Sequence, residues 1–219
     1  MTPSRLLGIR RVLCLGAHCD DIEIGCGGTI LALVDAVPRL DVRWVVFSSD
    51  AVRKAEARAS AARFLRAVAR ADVAVHDFRD GYLPYEGAAI KDAFERLKDG
   101  PSPDLVLTPW RHDAHQDHRL IGELTWNTFR DHTILEYEIP KYDGDFGSPN
   151  VLVPLDEEVC REKIDHIVQC FKSQATKPWF SADLFTSVMR VRGMEARAAT
   201  GYAEGFYGRK LVVALGGPS

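Results

Sequence analysis

Short apolar runs alternate along this chain with longer segments whose apolar residues recur at helical spacing. The runs predict β-strands over residues 11–17, 42–47, 73–78, 104–108 and 133–137. The segments between them predict helices over residues 27–37, 53–70, 88–98 and 120–129. The first run is apolar at almost every position, as in a strand that is covered on both faces. Regular alternation of this kind predicts an α/β protein with a mostly parallel sheet and helices on both faces.

The remainder of the chain has a weaker pattern. Residues 139–150 carry several glycine and proline breaks and predict a surface loop that covers part of a site. Two amphipathic helices are predicted after it, over 156–171 with Asp156 as N-cap and over 182–198 with an interruption at Gly193. Neither a repeat nor a linker divides the chain, so we expect one domain over residues 1–219.

Composition narrows the class of protein. The 219 residues are 46% hydrophobic and 27% charged, which is typical of a folded globular domain and argues against a disordered chain. No run approaches the ~20 apolar residues of a membrane span, and residues 1–11 do not lead into a secretory signal, so we expect a cytoplasmic protein. The net charge of -3 argues against a nucleic-acid partner. The five scattered cysteines suggest neither disulfides nor a structural zinc site.

Two clusters of reactive side chains follow predicted strands directly. The first strand leads into a segment with His18, Asp20, Asp21 and Glu23. The fourth leads into residues 110–118, which contain three of the seven histidines. Open α/β sheets bind their ligands at the carboxyl ends of strands, so the two clusters meet if the strand order reverses between them.

Such a set suits zinc, because catalytic zinc keeps three nitrogen or oxygen ligands and an exchangeable water. If His18, Asp21 and His118 bind the ion, three side chains remain for proton transfer. We expect Asp20 to be the general base and a protonated His115 to stabilise the oxyanion and act as the acid, with Asp117 or Asp113 holding its ring.

Each cluster alone has a simpler explanation, as a helix cap or a surface ion pair. The glycines at 25–28 also suggest a dinucleotide-binding turn, but that pattern needs glycine or alanine where Ile30 stands. We instead expect these glycines to let a helix N-terminus approach the metal site, where its amides cap Asp20 or Asp21.

The two clusters together resemble the PIG-L/LmbE-like family of zinc-dependent N-deacetylases. The family signature is Ala-His-Pro-Asp-Asp-x-Glu followed by His-x-Asp-His, and the chain carries Ala-His-Cys-Asp-Asp-Ile-Glu at 17–23 and His-Gln-Asp-His at 115–118. The motifs occupy about twenty-five residues, and the match loosens after Tyr137. Cys19 stands in place of the family's proline, and we expect it to be structural rather than a metal ligand.

The resemblance implies a Rossmann-like fold and a zinc-dependent N-deacetylase that acts on linear amides, commonly in an N-acetylglucosamine unit. It implies these roles: metal ligands His18, Asp21 and His118; catalytic residues Asp20, His115 and Asp117, the last as the carboxylate partner of His115; and substrate-binding residues Arg53 and Tyr202. The expected cofactor is Zn²⁺, with Fe²⁺ as the alternative, and a homo-oligomer is compatible with the resemblance.

Three functions stay open at this point. The first is removal of an N-acetyl or other N-acyl group from an amino sugar or a glycosylated small metabolite. The second is an amidase of the same fold for a non-sugar or thiol-conjugate amide, and the third is a non-catalytic metal- or ligand-binding module. Asp20 and His115 favour an enzyme, because neither is needed merely to hold a metal.

Overall fold

A seven-stranded sheet with helices on both faces organises the chain. The computed structural model describes residue 6 and residues 8–212, so the predicted domain limits at 1 and 219 and much of the stretch 1–11 lie outside the described residues. The strands are β1 Arg11–Gly16, β2 Asp41–Ser48, β3 Arg70–Phe78, β4 Leu105–Pro109, β5 Thr133–Tyr137, β6 Val151–Pro154 and β7 Ala203–Tyr207. The helices are α1 Asp21–Ala36, α2 Ala51–Phe64, α3 Gly87–Leu97, α4 Gln116–Thr128, α5 Glu157–Cys170 and α6 Ala182–Ala196.

The strand order is β3-β2-β1-β4-β5-β7-β6. Strands β1 to β5 pair in parallel, whereas β7 runs antiparallel to both β5 and β6. The prediction of an α/β fold with a mostly parallel sheet is therefore confirmed. From β1 the order proceeds to β2 on one side and to β4 on the other, so β1 and β4 flank the point where the order reverses.

Alternate residues of β1 face two separate apolar clusters. Val12 and Cys14 pack with side chains of α1, α2 and α5, whereas Leu13 and Leu15 pack with side chains of α3 and α4. A central strand covered on both faces explains why the first run is apolar throughout. None of the helices in the described part of the chain is long and apolar enough to cross a membrane.

The last two strands, β6 and β7, were not predicted, because both are short and β7 carries a glutamate and a glycine within five residues. The predicted interruption of α6 at Gly193 is wrong. A Cβ there would lie 2.2 Å from the Gly201 carbonyl oxygen, so the glycine permits a close approach of backbone inside a continuous helix.

Helix α1 starts at Asp21, six residues before its predicted start, and loses helical geometry at Cys26. Near this break, backbone carbonyl and amide groups form hydrogen bonds with side chains. The Ile24 carbonyl accepts a hydrogen bond from Lys163, and the amides of 28–29 donate to the Glu204 carboxylate. The expectation that amides of the helix N-terminus cap Asp20 or Asp21 is wrong, because Asp20 makes no side-chain capping hydrogen bond and Asp21 accepts the His18 amide before the helix.

The glycines have a packing role instead. A Cβ on Gly25 would lie 2.1 Å from the Tyr137 ring, and one on Gly28 would lie 2.5 Å from Leu155. Glycine therefore allows α1 to lie directly against the end of β5 and the segment after β6.

Candidate active site

A cavity of about 730 Å³ opens at the carboxyl ends of β1 and β4. Its base carries His18, Asp20, Asp21, His115 and His118. Four further segments form its walls: residues 48–53 between β2 and α2, residues 77–80 at the end of β3, residues 139–143 after β5, and residues 173–179 after α5. The two reactive clusters predicted from the sequence therefore meet in one cavity at the reversal of strand order, where this type of sheet binds its ligands.

The segment after β1 is folded tightly around Asp21. The backbone amide of His18 donates to Asp21 Oδ2 at 2.8 Å, and α1 starts at Asp21 itself. This local contact holds the His18 and Asp21 side chains on the same side of the turn.

The segment after β4 brings the other histidines together at the start of α4. His115 is the N-cap, and its Nδ1 accepts the backbone amide of Asp117 at 3.2 Å. His118 lies in the first helical turn and is buried. The two rings stack with centroids 4.8 Å apart, so both reach the same cavity.

Three potential metal ligands, the side chains of His18, Asp21 and His118, lie close together at the base of the cavity. His18 Nδ1 lies 3.1 Å from His118 Nε2. Each of these nitrogens also lies near an Asp21 carboxylate oxygen, at 3.5 Å for His18 and 3.4 Å for His118. Ligand atoms around tetrahedral zinc, with bonds of about 2.0–2.1 Å, are separated by roughly 3.3 Å. The spacing and chemistry of these groups therefore fit a divalent ion.

The charges of these groups are coupled. Burial alone would lower the pKa of His118, but the carboxylates of Asp21 and Asp113 outweigh it and raise that pKa to about 9. Burial alone would raise the pKa of Asp21, but His118 and His18 hold it well below its usual value. In the metal-free protein, positive imidazoles therefore occupy the place where a cation fits.

Each of the two histidines has a carboxylate at its other ring nitrogen. His18 Nε2 lies 3.2 Å from Asp117, and His118 Nδ1 lies 3.1 Å from Asp113. A carboxylate in this position orients a ligating imidazole and raises its basicity. Asp117 and Asp113 are therefore placed to support the two metal-facing rings.

The structure gives Asp117 a different partner from the expected one. Its carboxylate contacts His18 and accepts the backbone amides of Gly81 and Leu83 at 2.8 and 3.2 Å, rather than holding the His115 ring. Burial and the neighbouring charges of His118 and His18 lower the pKa of His115, which opposes the expected protonated form. Because its Nδ1 accepts a hydrogen bond, the neutral ring carries its proton on Nε2.

Asp20 has one occupied and one free carboxylate oxygen. Oδ1 accepts a hydrogen bond from Arg53 at 2.7 Å, whereas the buried Oδ2 has no partner in the described part of the protein. Burial raises the pKa of Asp20, and Arg53 opposes this shift. Asp20 thus brings a carboxylate with one unused acceptor oxygen to the cavity that the three converging ligands also line.

Arg53, expected to bind substrate, lines the cavity but is paired with Asp20. Tyr202, the other expected substrate contact, does not line it. Its ring packs near Leu155 and Met189, with the Arg190 guanidinium 4.8 Å from the ring centroid. The segment before β7 is directed towards α5 and α6, so substrate binding by Tyr202 would need a contact outside this cavity.

Cys19 points away from the converging ligands. Its buried Sγ donates to the Ser48 carbonyl at 3.4 Å, and burial raises the pKa of the thiol to about 12. These contacts agree with a structural role.

Sequence reasoning missed Asp80, whose Oδ1 lies 3.2 Å from His18 Nε2. Asp80 follows β3 at the same edge of the sheet, so the rule that identified the other two clusters could have found it. His18, Asp80, His115 and Asp117 form a second group whose ligand atoms lie within 4.8 Å of one another. The first such group comprises His18, His115 and His118.

Comparisons with known proteins supply a family match and several similar folds. Residues 13–129 match the family described as PIG-L: GlcNAc-PI de-N-acetylase. A curated relative, diacetylchitobiose deacetylase of Thermococcus kodakarensis (strain ATCC BAA-918 / JCM 12380 / KOD1), is 30% identical over 129 residues, which cover 53% of this chain and 48% of the relative. The chain thus spans about half the length of that relative.

Two solved structures illustrate how widely the fold is used. N,N'-diacetylchitobiose deacetylase from Pyrococcus horikoshii superposes with a TM-score of 0.68 at 23% identity, over 90% of this chain and 83% of the other. GalB, the 4-carboxy-2-hydroxymuconate hydratase from Pseudomonas putida KT2440, superposes with a TM-score of 0.72 at 18% identity, over 96% and 100% of the two chains. At these identities the similarity shows the fold alone, and the fold carries more than one reaction.

Proposed function

The chain belongs to the PIG-L family, and we propose that it is a divalent-metal-dependent hydrolase that removes an N-acetyl group from an amino sugar or a glycosylated small metabolite. One observation carries the proposal. Asp20 lines the same cavity as His18, Asp21 and His118, and its buried Oδ2 has no hydrogen-bond partner within the described residues. A merely metal-binding module has no need of an acceptor that is buried at a cost and left unused.

His18, Asp21 and His118 would hold the ion, and two imidazoles with one carboxylate suit Zn²⁺, with Fe²⁺ as the alternative. When bound, such an ion acts as a Lewis acid and makes water a stronger nucleophile at neutral pH. Asp117 and Asp113 would orient the two ligating rings from behind.

Asp20 is assigned as the general base. Its Oδ1 is held by Arg53 at 2.7 Å, which leaves Oδ2 to accept a proton from the attacking water. Burial raises the pKa of Asp20 towards the operating pH, and a base of that kind returns its proton to the leaving amine more readily than an ordinary aspartate. Arg53 therefore acts on the chemistry by positioning Asp20.

His115 is assigned to the acetamide carbonyl. Its Nδ1 is occupied by the Asp117 amide, so the neutral ring offers Nε2–H as a donor to the carbonyl oxygen on which negative charge develops. The lowered pKa of His115 is compatible with this role, because a neutral imidazole already has the required proton.

The substrate class follows from the family and its named relatives. The matched relative is named for deacetylation of diacetylchitobiose, and a cavity of about 730 Å³ lies within the range of roughly 300–1,000 Å³ that is common for small-molecule ligands. We therefore assign an N-acetylated amino sugar, free or glycosylated. An amidase for a non-sugar amide is the second candidate, because the residues that we assign to chemistry would serve any linear acetamide.

Release of free amine by the zinc-loaded protein tests the proposal. The substrates are N-acetylglucosamine, N,N'-diacetylchitobiose and N-acetylcysteine, each with and without a chelator. We expect chelator-sensitive release from the amino sugars. Release from N-acetylcysteine alone would favour the second candidate, and full activity of the metal-free protein would refute the metal-dependent scheme.

A further inference from the structure

We propose that Tyr142 is a specificity-determining residue, which contacts a flat group attached to the amide-bearing unit of the substrate. This inference rests on the proposed function, since it assumes that the substrate's amide lies near His18 and His118. Tyr142 lies in a wall of the cavity that contains neither the sequence motifs nor the metal-facing residues.

The Tyr142 side chain is largely exposed and, within the described part of the chain, unpaired, although it lies beside a buried site. It lines the cavity and is 75% exposed. Its hydroxyl forms no hydrogen bond within residues 8–212, and its ring has no aromatic partner there. Trp179 also lines the cavity, but it is half-buried and packs against Phe180. Tyr142 is therefore the lining aromatic residue with the most surface left for a ligand.

The backbone that carries Tyr142 is firmly attached. The preceding residue, Lys141, places its ammonium 2.8 Å from Asp113, 2.6 Å from Asp145 and 3.1 Å from the Ile139 carbonyl oxygen. The other oxygen of Asp145 accepts the Ala114 amide at 2.7 Å. An irregular segment is thus joined at two points to the loop that leads to His118.

This combination favours a ligand contact. An anchored backbone limits the conformational entropy that is lost on binding, and tyrosine combines a flat apolar face with a polar tip. Sugar rings and aromatic aglycones both present flat faces of this kind. Because Asp113 also lies 3.1 Å from His118, the attachment sets the position of Tyr142 relative to the metal-facing ring. Lys141 is in this sense a positioning residue for Tyr142.

Calorimetric binding of two matched ligands tests the assignment. The probes are the methyl and phenyl β-glycosides of N-acetylglucosamine, which differ in the flat group, and they are titrated into zinc-loaded protein. An Asp20→Asn background prevents turnover, so the binding result does not depend on hydrolysis. We expect Tyr142→Ala to weaken phenyl glycoside binding about fivefold and to change methyl glycoside binding less than twofold, as the typical strength of an aromatic contact implies.

Three further variants separate contact from structure. Tyr142→Phe keeps the ring and should retain the phenyl preference. Tyr85→Ala removes a tyrosine that is 83% exposed but outside this cavity, and it should change neither affinity. Lys141→Met keeps Tyr142 but removes its anchor, so it should reduce the phenyl preference and add little to Tyr142→Ala in the double variant.

Several outcomes would overturn the assignment: equal binding of the two glycosides to the background protein, equal weakening of both by Tyr142→Ala, loss of the preference in Tyr142→Phe, or no binding of either glycoside. Hydrolysis is measured separately with the Asp20 protein. Failure of that assay, with the phenyl preference intact, would count against the proposed function alone.

Discussion

The loops after β1 and β4 each supply one metal-facing histidine, but the structure supports the two histidines differently. Asp117, behind His18, is fully buried and held by the backbone amides of Gly81 and Leu83. Asp113, behind His118, is held by the His115 amide and by the side chain of Lys141. The first support lies entirely within the matched residues 13–129, whereas the second extends beyond them to Lys141.

The difference shows which half of the site can vary. A carboxylate fixed by backbone amides depends on the fold of a turn, and changes of side chain alone do not remove its donors. Asp113 accepts one backbone amide, from His115, but its other oxygen depends on one substitutable residue, Lys141. We therefore expect side-chain substitutions at the surface to leave the support of His18 unchanged. Substitutions in the wall segment that carries Lys141 should alter the support of His118.

The largest effect should come from removing a metal-facing ring. His118→Ala leaves two of three ligands, so we expect loss of stoichiometric zinc and of hydrolysis. His112→Ala is the matched control, because His112 is an exposed histidine in the same loop outside the converging set. Metal content by elemental analysis checks the result, and a fully loaded His118→Ala protein would contradict the ligand assignment.

The next largest effect separates the chemistry from metal binding. Asp20→Asn should retain zinc but lower kcat by about 10²–10⁴, the usual contribution of a general base. Asp77→Asn, an exposed aspartate in the cavity lining, should leave kcat within about twofold. If Asp20→Asn were as active as the unmodified protein, the base would have to be another group.

The two supports can be compared directly by zinc affinity. Asp117→Asn and Asp113→Asn should each weaken zinc binding by about 10- to 100-fold, as is usual when the carboxylate behind a ligating histidine is lost. In double variants, adding Lys141→Met should change the loss of zinc affinity caused by Asp113→Asn. It should not change the loss of zinc affinity caused by Asp117→Asn. Competition with a chromophoric chelator measures each affinity, and the same response of both variants to Lys141→Met would remove the distinction between the two sides.

The last comparison concerns pH. The pKa of His118 is raised to about 9, so the stabilisation from its charged form is complete below its ordinary pKa and is lost as the pH rises through about 9. Zinc must displace that proton and the proton of His18, whose pKa is also raised, so zinc affinity should rise by at least about tenfold for each pH unit between roughly 7 and 9. Chelator competition across this range checks the slope, and a flat profile would mean that His118 is already neutral in the metal-free protein.

The strongest periodicities predicted the fold well. Strands β1 to β5 and the helices between them lie where the apolar runs and helical spacing indicated, although α2 ends six residues before its predicted end and α1 and α4 start earlier than predicted. Those early starts have a common cause. His115 and Asp21 are polar residues at helix N-termini. The first helical turns carry polar capping and site residues, so they lack the apolar spacing on which the prediction depended.

The candidate site was predicted as a set of residues, but its internal partnerships were not. Adjacency along the chain suggested that Asp117 pairs with His115, whereas the first turn of α4 directs Asp117 to His18 and the amides near Gly81. Lys141 had no signal at all, because its partner Asp113 lies on a different loop. Tyr202 was assigned from a resemblance in a region where the chain matches the family only loosely.

By itself, the sequence determined which strands are central and which two loops carry reactive side chains, because both properties are local and leave a mark on apolar spacing and residue type. Only the tertiary structure decided which carboxylate stands behind which histidine, that one oxygen of Asp20 is left free, and that Tyr142 faces the cavity. Those features depend on distances between residues far apart in the chain, and such distances are set by the order of strands and by packing, which no local pattern encodes.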